Sequence, residues 1–238
     1  MSLIKDFLRP LEPYVPSLPT ALSWRQSLRV LQRHGFEPAT VFDIGVGFGT
    51  WSLYRAFPDA YYHLIDPTPE SLPYMNKIAR RLDGEVHGVA LGDRDGEVTL
   101  EVRPDVQGST LLEEVGPRQI LRFEKVPMRR FDSLIGSFQR PALAKIDVQG
   151  AELMVLKGMT GRLKDIDAFV IETSTIATVK GGAELADIVA FMHAQGFVVA
   201  DIVGMKRRPL DGATAQFDLL FVPDASALRA DRRWAAQA

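Results

Sequence analysis

Residues 41–50 read VFDIGVGFGT, an apolar run holding one acid, followed by Gly45, Gly47 and Gly49 at every second position. Glycine inside an element costs about 0.5–1 kcal/mol against alanine. Three in five residues therefore mark a chain that bends sharply or lets a ligand approach its backbone. A strand ending in such a turn and opening a helix is a βα unit, and the chain on either side repeats it. TVFDI (40–44) is followed by a helix from about Thr50 to Phe57, and YYHLID (61–66) by a helix over Glu70–Leu82 with proline in its first turn. EVHGVAL (85–91) is a third strand. A helix over 131–138 leads to ALAKIDV (142–148), with a helix over Ala151–Lys157 behind it. AFVIETS (168–174) precedes an amphipathic helix, Ala183–Gln195, stopped by Gly196. FVVADIVGM (197–205) and AQFDLLFVP (215–223) have no helix between them, which predicts an antiparallel pair.

This alternation predicts an α/β protein with helices on both faces of a mostly parallel sheet. Five βα units and a terminal hairpin make a seven-stranded Rossmann-like sheet with an antiparallel last strand. Two segments stand outside the rhythm. Over 97–128, EVTLEVRP and ILRFEKVPM flank a loop containing QGST (107–110), an expected inserted hairpin or lid over the site. Over 1–36, a proline-rich arm (Pro10, Pro13, Pro16, Pro19) leads to a helix capped by Ser23, with Trp24, Leu28 and Leu31 on one face. The arm and Trp24 are rival candidates for a lid, although core packing is the expected role of both Trp24 and Trp51. No internal repeat interrupts the chain, and the expectation is a single domain over 1–238.

The 238 residues are 46% hydrophobic and 24% charged, enough for one sizeable core. A net charge of −2 argues against a general nucleic-acid binder. There is no cysteine, which excludes disulfides and thiolate metal sites. His34, His63, His87 and His193 form no HxH or HExxH pattern, so no metal site is assigned, and His63 and His87 read as structural. No stretch is apolar enough for a membrane span and no signal-peptide core is visible, so a cytoplasmic protein is expected.

Ligands of open α/β sheets settle at the carboxyl ends of the strands. A dinucleotide turn, GxGxxG, beginning at Gly45 would need glycine at position 50, where Thr50 stands. The stretch reads D-x-G-x-G-x-G instead, opening on Asp43. A negative charge there is awkward for a pyrophosphate and suits a cationic ligand, an ammonium or a sulfonium. That favours S-adenosylmethionine over a nicotinamide cofactor, whose oxidoreductase chemistry remains the alternative. Asp43, Gly45, Gly47, Gly49 and Thr50 are thus cofactor-binding candidates. Asp66, ending the second strand, is placed to accept from ribose hydroxyls or to cap the next helix. In ALGD (90–93), Ala90 and Leu91 offer an apolar wall to adenine, with Asp93 at its polar edge; ordinary turn chemistry is the competing reading. Strand alternation puts Lys145 and Asp147 on one side. Asp147 is the candidate base or ammonium ligand, and Lys145 its partner or the support of a developing alkoxide; a buried ion pair is the alternative for both. Glu172 is the second base candidate, while Glu152 is expected to complement a helix dipole.

KIDVQGAELMVLKGM (145–159), together with VFDIGVGFGTWS, ALGDRDGEVTL and FVIET, resembles the FkbM family of S-adenosylmethionine-dependent methyltransferases. The resemblance runs from about Gly35 to Glu172. It implies a Rossmann-like class I methyltransferase fold, S-adenosylmethionine as donor, O-methylation, and a small-molecule or sugar acceptor. The chain departs from the family pattern at Gly47, often asparagine, at Asp66–Pro67, usually Glu-Pro, and at Gln149, often glutamate. Gln149 removes a charge near the reaction site, which gives some support to a methyltransferase-like binding protein without turnover.

Overall fold

The computed structural model describes residues 22–104, 108–116 and 119–234; the arm over 1–21 and Gln107 of the QGST loop lie outside them. In chain order the elements are α1 (Trp24–Arg33), β1 (Thr40–Ile44), α2 (Trp51–Ala56), β2 (Tyr61–Ile65), α3 (Leu72–Ala79) and β3 (Gly84–His87). Next come β4 (Ala90–Leu91), β5 (Gly96–Val102), β6 (Arg122–Arg129), α4 (Phe131–Leu134), β7 (Ala142–Ile146) and α5 (Glu152–Gly158). The chain closes with β8 (Ala168–Ser174), α6 (Leu185–Ala194), β9 (Phe197–Arg207) and β10 (Thr214–Pro223).

Seven strands form one sheet in the order β3-β2-β1-β7-β8-β10-β9. β1 pairs in parallel with β2 and β7, and β7 with β8, whereas β10 runs antiparallel to β8 and β9. Every residue of β1 and β7 is buried, as strands covered on both faces must be. Side-chain alternation sorts the core into two layers. Val41, Leu143 and Val170 pack with Leu28 and Leu31 of α1, Leu53 of α2 and Met75 of α3. Phe42, Ala144 and Phe169 pack on the other face with Phe131 of α4, Val155 of α5 and Met192 of α6. Ser23 caps α1, its hydroxyl accepting from the Gln26 amide at 3.3 Å.

The sequence reading fails at three boundaries. The strand expected over 85–91 is two strands: β3 ends at His87, and Ala90–Leu91 cross to a second sheet, β4-β6-β5. There β6 pairs in parallel with β4 and antiparallel with β5, so the inserted segment brings its own sheet. The helix expected over 131–138 stops at Leu134 because Ile135 is extended, and Phe138 then packs edge-on against Phe42 at 4.9 Å. β9 continues to Arg207, two residues past the expected end, and carries Lys206 to the carboxyl end of the sheet.

Candidate active site

A cavity of about 570 Å³ opens where β1, β2 and β7 end. Its floor is the glycine turn after β1. Gly45, Gly47 and Gly49 all have positive φ, 81°, 52° and 110°. At Gly45 the reason is also steric: a Cβ would lie 1.7 Å from the Asp147 carbonyl oxygen, so the ends of β1 and β7 meet only over glycine. The buried carboxylate of Asp66 fastens this turn to β2. Its Oδ2 accepts from the Gly47 amide and its Oδ1 from the Thr68 amide, both at 2.8 Å. Asp66 does not cap α3, which starts at Leu72 behind Ser71. Ile65, Val89, Ala90 and Leu91 give the cavity an apolar side beside Asp66.

Asp43 stands one layer below. It is wholly buried and absent from the cavity wall. Its carboxylate accepts from the Thr50 hydroxyl at 3.1 Å and from the Tyr54 hydroxyl, with Lys145 Nζ 3.4 Å away. Burial, reinforced by Asp43, pushes the Tyr54 phenol up, so Tyr54 keeps its proton and donates. The expected contact of Asp43 with a ligand cation is therefore replaced by internal partners that brace the turn from beneath. Lys145 belongs to the same layer and reaches the cavity edge. Its ammonium donates to the Gly45 carbonyl at 2.6 Å and lies 3.7 Å from Asp147 Oδ2. Burial pulls this ammonium down, but Asp147 and Asp43 outweigh it, and the net displacement is upward.

Asp147 lines the cavity with its side chain 30% exposed, the open carboxylate at the end of β7. Gln149 holds it, donating from Nε2 to Asp147 Oδ1 at 2.7 Å and to Glu172 Oε2 at 3.0 Å. One amide thus bridges two carboxylates with its two N–H hydrogens, a task closed to a glutamate, which has a single O–H even when protonated. Gln149 sits at φ 55°, unusual for a residue with a side chain, and its carbonyl accepts from the Thr110 hydroxyl at 2.8 Å. Glu152, credited in the sequence to a helix dipole, instead turns back on this loop. Its Oε1 accepts from the amides of Val148 at 3.0 Å and Gly150 at 3.1 Å, and burial pushes its carboxyl up to about 7.

Glu172 and Asp93 do not reach the cavity wall. Glu172 is buried behind it, accepting from Lys206 Nζ at 2.8 Å and Gln216 Nε2 at 3.0 Å as well as from Gln149. Burial, then Asp147, pushes its carboxyl up to about 8. Asp93 leaves because the Gly92 amide bonds to the Arg129 carbonyl, turning the chain outward to a contact between Asp93 and Arg94 at 3.2 Å. The opposite wall comes from Lys206 on β9 and from Gln216 and Asp218 on β10, which the sequence did not single out for the site, and from Ser109 and Thr110 of the QGST loop, which was expected over it. Trp24, expected in the core with a place over the site as its rival role, has both: it packs against the core cluster and, half-buried, lines that wall, donating its indole N–H to Asp218 Oδ2 at 3.0 Å. Alternation along β10 was a usable signal for Gln216 and Asp218, since both stand two apart on one face.

The sheet order and the strand-end glycine turn define a class I methyltransferase fold. Residues 43–199 match the methyltransferase FkbM domain, more than half of the chain, and the chain belongs to that family. S-adenosylmethionine is accordingly the cofactor the family and fold imply, and the nicotinamide alternative falls. The hexuronic acid methyltransferase of Haloferax volcanii is 23% identical over 156 residues, a match covering 61% of this chain and 60% of that protein. This chain thus spans about three fifths of that relative's length. Methyltransferase 1 of Beauveria bassiana is 26% identical over 189 residues, covering 69% of this chain and 74% of that protein. Among solved structures, the 1,6-didemethyltoxoflavin-N1-methyltransferase of Burkholderia thailandensis is similar at 15% identity and a TM-score of 0.44, covering 93% of this chain and 87% of that one. The magnesium protoporphyrin IX methyltransferase of Synechocystis PCC 6803 shows 12% identity and a TM-score of 0.48, covering 93% and 96%.

Proposed function

We propose that the chain transfers the methyl group of S-adenosylmethionine to a hydroxyl of a carbohydrate or related small natural product. The observation that carries this reading is Asp147: a partly exposed carboxylate, fixed by Gln149, at the rim of the glycine turn. The bound donor supplies an electrophilic methyl on a sulfonium. The turn over Gly45–Thr50 and Asp66 would hold it, with Ala90 and Leu91 against its base; the cleft, apolar on the side beside Asp66, fits such a group. A neutral hydroxyl is a poor nucleophile, and Asp147 is placed to take its proton. Lys145 sets its ammonium 3.7 Å behind Asp147. Lys206, Gln216, Asp218 and Trp24 form the wall an acceptor would meet, a polar and aromatic lining suited to a sugar. The similarity to a hexuronic acid methyltransferase supports the same acceptor class.

Transfer of labelled methyl to a panel of sugars, uronic acids and hydroxylated natural products tests the reading. Asp147→Asn should keep donor affinity by calorimetry and lose on the order of 100-fold or more in turnover. An unchanged rate removes Asp147 from the chemistry. Tight donor binding with no product across the panel supports the binding-protein alternative.

A further inference from the structure

Away from the cavity, at the outer edge of the sheet, three side chains converge whose positions in the sequence give no hint of it. His63 lies on β2, and Glu85 and His87 lie on β3. β2 and β3 pair in parallel with His63 opposite Glu85, and the two-residue period of β3 puts Glu85 and His87 on one face. His63 Nδ1 is 3.1 Å from His87 Nε2, and Glu85 Oε2 is 3.8 Å and 3.7 Å from those two nitrogens. We propose that this triad is a binding site for a divalent transition-metal cation of the zinc class, ligated by His63 Nδ1, His87 Nε2 and Glu85 Oε2.

The spacing carries the argument. A tetrahedral ion with bonds of about 2.0–2.1 Å holds its ligand atoms about 3.3 Å apart, and the three separations bracket that value. The donor set, two imidazoles and a carboxylate, is one that zinc takes readily, while calcium and magnesium prefer oxygen. The rings are also held in place before any ion arrives. His63 stacks on Phe42 at 4.9 Å and 11°, with Tyr61 edge-on at 5.3 Å, and both imidazoles are about one-tenth exposed. Glu85, 57% exposed, is free to swing the last few tenths of an ångström and leaves the fourth position to water. None of the three residues lines the cavity, so the work of the ion is mechanical. It ties the edge strand β3 to β2, and the His87 carbonyl in turn accepts from the amide of Asp66, the acid that holds Gly47. The competing state is an imidazole pair sharing one proton at 3.1 Å with no affinity for metal.

The full chain, stripped with a chelator, is titrated with Zn²⁺ by calorimetry, and its melting temperature is followed with and without the ion. One Zn²⁺ per chain and a raised melting temperature are expected. Glu85→Gln changes an exposed side chain of the same shape and should fold normally. It and His87→Gln should each weaken binding by more than about 100-fold, because even loss of an outer-shell partner costs 10–100-fold. The proposal is overturned by an absence of stoichiometric binding, by binding indifferent to both substitutions, or by zinc that Asp147→Asn removes instead. Donor binding, measured separately, does not enter these outcomes.

Discussion

A glutamate in the first turn of a helix ordinarily complements the helix dipole, yet Glu152 fastens the loop in front of its own helix. Because both amides meet the same oxygen, Oε1, the second oxygen is dispensable for the clamp. Glu152→Gln should therefore preserve fold and donor binding. Glu152→Ala leaves two part-buried N–H groups without this partner, at a cost toward the lower end of about 1–3 kcal/mol each, and a melting curve should separate the two variants. If alanine is as stable as glutamine there, the clamp carries no weight. This is also the scale at which the sequence was least legible. Asp66, Lys145 and Asp147 were placed at the cavity because acids and lysine at strand ends have few other reasons to be there. Asp43 and Glu172 carried the same signal and lie one layer deeper. Strand periodicity states which face a side chain takes, and is silent on whether another side chain then covers it.

At the scale of elements, the βα alternation was readable almost to the residue, since continuous apolar runs ending in glycine have one structural meaning in a parallel sheet. What escaped was pairing at a distance. Nothing local told Ala90–Leu91 to leave β3 for β6, and nothing told β9 to extend as far as Lys206. The junction of β1 with β7 yields the test proper to this scale. Gly45→Ala must drive the two strand ends apart, because its methyl would overlap the Asp147 carbonyl. Calorimetry should show donor binding lost. Gly196→Ala is the control: φ is 89° there, with no atom within 4 Å of an added Cβ, so about 1 kcal/mol of backbone strain is expected and no change in binding. Equal binding by both variants would mean that the turn tolerates displacement.

For the whole molecule, two buried glutamates set the response to pH. Burial raises Glu152 from 4.5 to about 7 and Glu172 from 4.5 to about 8. Between those limits the folded protein retains protons that the unfolded chain has released. The stability they contribute is complete below about pH 4.5 and is lost as pH rises through about 7 and then 8. Burial lowers His63 and His87 in the fold, so their unfolded counterparts, half protonated near pH 6.5, oppose this loss until about pH 7.5. The melting temperature should fall between about pH 7.5 and 8.5, and Glu172→Gln should flatten the fall; a level profile in the parent would refute the assignment. Among the described residues no helix is long and apolar enough to cross a membrane. The fold brings α1 and β10 to one place, since Trp24 and Asp218 are 194 positions apart and share a hydrogen bond at the cavity wall. Trp51 and Trp234, the other two indoles of the sequence, are exposed and absent from that wall. Filling of the cleft should therefore alter the surroundings of Trp24, a change expected in ultraviolet emission without any added label and lost in Trp24→Phe.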